Sequence, residues 1–235
     1  MVRNVICALD TGDLNEALAK TRKLAPYVGG FKIGHSLTLP FGLEVIDRLQ
    51  DAGANRIFLD LKFHDIPNSV ALAVREAAKH HVWMMTLHIS GGPAMITAAA
   101  EEAGAAGEDG PLLLGVSVLT SLDQHVLTDH LGITRTIEEQ MVYLSQLAID
   151  CGIDGVICST SEVKAIRQRI GHAGIIVTPG IRMPDSAGDD QRRTGTATQA
   201  LADGADYVVI GRALSDSENA EDALAALGLK MASAN

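Results

Sequence analysis

The sequence predicts a (β/α)8 barrel, an α/β fold of a single domain, and three observations carry that prediction. Eight short apolar or β-branched runs alternate with longer segments whose apolar residues recur three and four apart, from one end of the chain to the other. The runs are largely continuous in apolar character, as in parallel strands buried on both faces. No Pro/Ser-rich linker, composition shift or low-complexity stretch divides the 235 residues, so 1–235 reads as one domain. The competing architecture is a doubly wound sheet of eight strands. Against it, no G-x-G-x-x-G follows the first strand, where a dinucleotide-binding sheet carries it.

The strand runs, in order, are 5–10, 30–34, 56–63, 84–89, 112–119, 155–159, 175–180 and 207–212. Between them lie amphipathic segments, such as the one carrying Leu14, Leu18 and Ala25 and the one carrying Val70, Val74 and Ala78. Glycines at 29–30, 53, 104, 152, 171 and 204 punctuate the pattern and suit the residue after a helix end. The first ten residues hold one basic residue and a short apolar run ending in Asp10, and read as a strand rather than a signal peptide.

Composition narrows the function. Apolar residues make up 47% and charged residues 20%, which excludes a disordered chain. A net charge of −10 argues against a nucleic-acid binder held by phosphate contacts, and 3% aromatic residues argue against base-stacking platforms. No run approaches the roughly 20 apolar residues of a membrane span. Cys7, Cys151 and Cys158 are odd in number and lie in apolar stretches, so no disulfide framework is expected, and a reducing cytoplasm is the expected compartment.

Reactive groups of such a barrel stand where strands end and in the loops that follow. Asp60 and Lys62 interrupt the apolar run 57–63 and, two apart, share one strand face, with Leu59, Leu61 and Phe63 on the other. Buried ion pairs stabilise weakly relative to apolar packing, so this pair reads as functional. Asp65, before Ile66-Pro67, reads equally as a helix N-cap or as part of a site. Asp10 is similarly a helix cap before Leu14 or a site residue. Lys32, flanked by Gly30 and Gly34, is a snorkelling strand-end cation or one that a ligand approaches.

The last two strands carry a different signature. Loops after strands seven and eight form the usual phosphate site of this architecture. Here they hold Arg182, Gln191, Arg192 and Arg193, then Gly211 and Arg212, a close backbone approach beside a forked cation. The segment 182–195 is long enough to fold over a phosphate, or is a solvated loop whose arginines pair with Asp185, Asp189 and Asp190. Thr120-Ser121 offers polar contacts to a substrate or caps the segment near Asp123, and His88 lines the mouth or makes a strand-end hydrogen bond. The eight histidines show no ligand spacing, so no metal site is expected. Ser90 and Ser159 lack the partners of a nucleophile.

At Asp60-Leu61-Lys62-Phe63-His64-Asp65-Ile66-Pro67-Asn68-Ser69 the chain resembles the bacterial type of the orotidine 5′-phosphate decarboxylase family. Ala8-Leu9-Asp10, Phe31-Lys32-Ile33-Gly34, Leu119-Thr120-Ser121, 178–182, 190–193 and Ile210-Gly211-Arg212 follow in the family's order. The resemblance implies decarboxylation of orotidine 5′-monophosphate to UMP, with neither metal nor organic cofactor. It implies Lys62 as proton donor to C6, flanked by Asp60 and Asp65, with Lys32 completing an alternating charge array. Asp10 and Lys32 would hold the ribose and Thr120 the pyrimidine, while Arg182, Gln191, Gly211 and Arg212 surround the phosphate. Ile66 and Ser69 would be further substrate-binding residues, and a homodimer follows, in which Asp65 and Ser69 serve the partner's site. Ser69 stands where many relatives carry Thr, and keeps the hydroxyl. A related phosphosugar decarboxylase group shares the D-x-K-x-x-D core; a metal-dependent phosphosugar decarboxylase or epimerase, sharing the barrel and phosphate grip, is the alternative, followed by a non-catalytic phosphate-binding barrel.

Overall fold

The structure, a computed structural model, describes residues 1–181 and 195–229. Eight parallel strands pair in sequence order: β1 (Val2–Ala8), β2 (Val28–Ile33), β3 (Ile57–Phe63), β4 (Met84–His88), β5 (Leu112–Val116), β6 (Gly155–Ile157), β7 (Ile175–Thr178) and β8 (Tyr207–Ile210). The barrel closes where β8 returns to β1, with Cys7 opposite Ile210. The helices alternate with the strands: α1 (Leu14–Leu24), α2 (His35–Phe41) and α3 (Glu44–Asp51), α4 (Pro67–Lys79), α5 (Pro93–Ala105), α6 (Ile137–Asp150), α7 (Val163–Ile170) and α8 (Ala197–Ala202). After β8 come α9 (Arg212–Ser215) and α10 (Ala220–Ala226).

Local chemistry sets the helix starts. Asp13 accepts from the N–H groups of Asn15 and Glu16 to cap α1, and Thr136 with Glu139 forms a reciprocal capping box at α6. Pro67 and Pro93 occupy first-turn positions of α4 and α5, where a missing N–H loses no helical bond. Each helix then turns one stripe inward. Leu14, Ala17 and Leu18 of α1 and Val70, Val74 and Ala77 of α4 are buried against the outer faces of the strands.

Alternation along the strands produces two apolar layers. Val5, Cys7 and Leu9, Phe31 and Ile33, and Leu59, joined by Leu61 and Phe63, face the helices. Ile6, Ala8, Phe58, Met84, Leu114, Val177 and Val209 fill the barrel interior. Below them Trp83 meets Tyr207 edge-on, with ring centroids 5.1 Å apart, and Arg56 lies over its face at 4.8 Å. A Cβ on Gly30 would stand 3.1 Å from the Trp83 ring, so β2 leaves that inward position empty to admit the indole.

The punctuating glycines divide into two kinds. Gly53, Gly152, Gly171 and Gly204 follow helices at positive φ, as expected. Gly104 instead lies within α5, and Gly29 and Gly30 within β2, where a Cβ on Gly29 would collide with the Arg3 carbonyl at 2.0 Å. The strands also end two or three residues earlier than their apolar runs in most cases, with β1 stopping at Ala8 and β5 at Val116. Beyond those points the neighbouring strands diverge and the chain turns toward its helix. Asp10, Thr120 and Gly211 therefore stand on the rim rather than in the ladder.

Candidate active site

One step up each strand from the interior apolar layer, the inward positions become polar. Asp10 follows Ala8, Lys32 follows Gly30, Asp60 follows Phe58 and Thr86 follows Met84. These four, with Lys62, meet at the C-terminal mouth, where this architecture keeps its chemistry. Lys62 Nζ donates to Asp60 Oδ1 at 2.8 Å, and Lys32 Nζ lies 3.5 Å from Asp60 Oδ2 and 3.2 Å from Asp10 Oδ1. The result is a chain of alternating charge, Asp10–Lys32–Asp60–Lys62. Asp60 and Lys32 are its enclosed middle, with side chains 15% and 14% exposed, while Asp10 is largely open to solvent.

Burial pushes the Asp60 carboxyl toward its neutral form, but the ammonium groups of Lys32 and Lys62 and hydrogen bonds from Lys62 and Thr86 outweigh it. The Asp60 pKa is held below the usual carboxylate range. A depressed folded-state pKa contributes stability that is complete above the unfolded value near 3.9 and disappears as pH falls through the folded value. Asp60→Asn should therefore lower unfolding stability at pH 7 by about 1–3 kcal/mol, and the gap to wild type should narrow below about pH 4. The single tryptophan, Trp83, reports unfolding by fluorescence in denaturant. A gap of constant size from pH 7 to pH 3 would rule out this account of Asp60.

The alternative structural roles raised by the sequence are now decided. Asp13, not Asp10, caps α1, which leaves the Asp10 carboxylate to Lys32. Ile66 occupies the N-cap position of α4 without a side-chain bond, so Asp65 is not that cap. Asp65 Oδ1 accepts the Ile66 N–H at 2.6 Å, the residue is exposed, and among the described residues it forms no ion pair with Lys62. Asp123 itself accepts the Val126 N–H at 3.0 Å at the start of the π-helical turn Val126–His130, so Thr120, half-exposed beyond β5, is not needed there. His88 is half-buried against the His64 ring, with centroids 5.3 Å apart; burial, then the neighbouring His64 and Lys62, lowers its pKa and keeps it neutral. Among the described residues no group of three or more His, Cys, Asp or Glu is arranged to hold a metal ion.

At the far side of the mouth, Gly211 precedes α9 and Arg212 is its exposed first residue. A Cβ on Gly211 would come within 3.9 Å of Asp10 Oδ2, so the backbone of this turn borders the charged chain directly. Lys20 of α1 fastens the turn after α9 through Asp216 at 2.6 Å. Ser69 sits half-exposed in the first turn of α4, three residues beyond the exposed Ile66. Arg182 and Gln191, with the rest of 182–194, lie outside the described residues; the flanking Ile181 and Gly195 pair in a parallel bridge.

Sequence reasoning missed Thr86. Its hydroxyl donates to Asp60 Oδ1 at 3.0 Å and accepts the Lys62 backbone N–H at 2.9 Å. A threonine in a β-strand is unremarkable by propensity, and the available signal was its inward parity with Met84 and His88.

The sequence matches the family described as orotidine 5′-phosphate decarboxylase / HUMPS over residues 3–227. The chain belongs to this family. It is 46% identical over 223 residues to the orotidine 5′-phosphate decarboxylase of Chromobacterium violaceum, covering 95% of this chain and 88% of the relative. It is 42% identical over 227 residues to that of Legionella pneumophila strain Corby, covering 97% and 98%. The crystal structure of orotidine 5′-phosphate decarboxylase from Lactobacillus acidophilus superposes with a TM-score of 0.82 at 34% identity, covering 96% of this chain and 97% of that one. Membership of the orotidine 5′-phosphate decarboxylase family thus spans the barrel from β1 to α10, with the charged mouth inside the matched region.

Proposed function

We propose that this chain decarboxylates orotidine 5′-monophosphate to UMP in pyrimidine biosynthesis, with Lys62 as the proton donor. The observation that carries the proposal is the Lys62 ammonium, anchored on Asp60 at 2.8 Å in the mouth of a barrel of this family. When the C6–carboxylate bond breaks, CO2 leaves and the electron pair stays on C6, where ring resonance offers it little outlet. An ammonium already fixed at that point stabilises the developing charge more than the ground state, and only such a difference accelerates the step. The proton then passes from Lys62 Nζ to C6, and the amine regains one from solvent. No metal or organic cofactor enters this scheme.

The remaining roles follow the substrate's length. Asp10 and Lys32 hold the ribose, Thr120 meets the pyrimidine, and Gly211 and Arg212 with Arg182 and Gln191 receive the phosphate. Asp65 and Ser69 serve the site of a second copy in a homodimer, and Ile66 between them contacts substrate. Ile66 is an apolar side chain 66% exposed beside Pro67, and the exposed Asp65 carboxylate accepts the Ile66 N–H and forms no ion pair with its own Lys62 among the described residues, both of which support that arrangement. Three free cysteines fit a reducing cytoplasm, and no helix among the described residues is long and apolar enough to cross a membrane.

The test is the loss of orotidylate absorbance on adding enzyme, run with and without EDTA. Turnover insensitive to EDTA is expected; turnover abolished by EDTA and restored by a divalent metal would favour the phosphosugar branch, and no turnover would remove the proposal. Arg212 provides a second check. Remote phosphate contacts raise the rate as well as the affinity when their binding energy is realised in the transition state. Arg212→Ala should raise KM and lower kcat together, for a combined loss of about 10²–10³-fold in kcat/KM. Orotidine lacking the phosphate should react equally poorly with both enzymes. A large further loss on that truncated substrate would place Arg212 in the chemistry or the fold.

A further inference from the structure

Lys62 stands on an irregular piece of strand. Its φ is +52°, in the left-handed region that non-glycine residues avoid and that costs roughly 1–3 kcal/mol to maintain. The β3–β4 register shifts over the same stretch: Leu59 pairs with Met85, but the next paired positions are Phe63 and Leu87. One residue of β4, Thr86, is thus matched by three of β3, and 60–62 bulge out of the ladder. A bulge removes backbone groups from their regular partners, and a buried N–H must find another acceptor.

The Lys62 N–H finds the Thr86 hydroxyl, at 2.9 Å. Because that oxygen accepts from the amide, its own proton is available to Asp60 Oδ1 at 3.0 Å, the same carboxylate oxygen that receives Lys62 Nζ. One fully buried hydroxyl therefore ties the main chain of Lys62 to the carboxylate that anchors its side chain. The loop of contacts runs from Lys62 N through Thr86 Oγ1 and Asp60 Oδ1 to Lys62 Nζ.

We propose that Thr86 is a positioning residue for the reaction, holding the bulge at Lys62 and thereby setting where its ammonium stands relative to Asp60. The proposal rests on the decarboxylase reading for its kinetic consequence, but not for its structural one. Thr86 is a step below the rim and completely buried, so it acts through Lys62 and Asp60. Without the hydroxyl, the Lys62 N–H loses its acceptor, the left-handed conformation loses its restraint, and the ammonium drifts from its station. A displacement near 1 Å at a reacting group costs on the order of 10²-fold in rate.

The test compares Thr86→Val, which keeps the shape and removes the hydroxyl, with Thr86→Ser, which keeps the hydroxyl. The expected result is a kcat about 10–10²-fold lower for Thr86→Val with KM within about threefold, and near wild-type kcat for Thr86→Ser. Amide hydrogen exchange supplies a readout independent of turnover: the Lys62 N–H should be protected in wild type and Thr86→Ser and should exchange markedly faster in Thr86→Val. A folded Thr86→Val with unchanged kcat and unchanged Lys62 protection overturns the proposal. So does a Thr86→Ser as impaired as Thr86→Val. Should Thr86→Val fail to fold, Thr86→Ser and Thr86→Ala are compared by the same two measurements, and equal protection of Lys62 in both is the overturning result. If wild type itself does not consume orotidylate, the decarboxylase reading falls, while the exchange comparison still decides whether Thr86 holds Lys62.

Discussion

Replacing Lys62 with alanine should reduce turnover by about 10⁴-fold or more while leaving a folded barrel. Two effects would be lost together, since in the proposed mechanism the same ammonium stabilises charge at C6 and delivers the proton. Proton transfer by a positioned group contributes typically 10²–10⁴-fold, and one preorganised donor at a developing charge about 10²–10³-fold. Because they reside in one group, their losses do not separate. The fold survives because Asp60 is not left as an unpaired buried carboxylate: Lys32 remains 3.5 Å from Oδ2 and the Thr86 hydroxyl remains on Oδ1. The bulge also survives, since Thr86 binds the backbone of position 62, which alanine retains. The measurement is kcat by orotidylate absorbance, with Trp83 fluorescence and denaturant midpoint as controls for folding. A folded variant retaining about a tenth or more of wild-type kcat would remove Lys62 from the proton-transfer step.

Mixing two dead enzymes should restore activity. Lys62→Ala and Asp65→Ala are each expected to be nearly inactive as homodimers, because every site carries one lesion. When the two are unfolded together and refolded, the reciprocal exchange of the proposed two-fold dimer would give mixed dimers in which one site collects both substitutions and the other collects neither. Random pairing makes about half of the dimers mixed, with one intact site of two, so roughly a quarter of wild-type activity should return. The structural ground is that Asp65 in its own subunit holds the Ile66 N–H at the exposed start of α4 and, among the described residues, makes no ion pair with Lys62. Were Asp65 to act within its own chain, mixing would restore nothing. Proven heterodimers without a gain in activity would therefore sink the shared-site reading.

The candidate site was legible in the sequence to different depths at different residues. Asp60 and Lys62 could be placed on one face because strand parity is a local property, and the inner and outer clusters confirm that Leu59, Leu61 and Phe63 look the other way. Spacing makes Lys32 a site candidate and the family resemblance sets it beside Asp10 and Asp60, but spacing alone cannot pair them, since they are separated from it by 22 and 28 residues and meet it only across neighbouring strands. The competing helix-cap readings of Asp10 and Asp65 could not be resolved from spacing. Asp13 and Asp10 both precede α1, and which of them caps depends on where the first helical turn begins after β1.

The sequence alone determined the order of strands and helices, the parallel barrel, and the end of the barrel at which charges gather. These follow from periods of two and about 3.6 in apolar residues, which any window of the chain displays. Only the tertiary structure decided the pairing of Lys32 with two carboxylates, the left-handed conformation of Lys62 and the part played by Thr86. Each depends on the register between strands. Register is set by how the whole sheet closes and by which side chains, such as Trp83 against the bare Gly30, fill its interior. A hydroxyl 24 residues from Lys62 becomes its backbone's partner only once that closure has brought β4 alongside the bulge in β3.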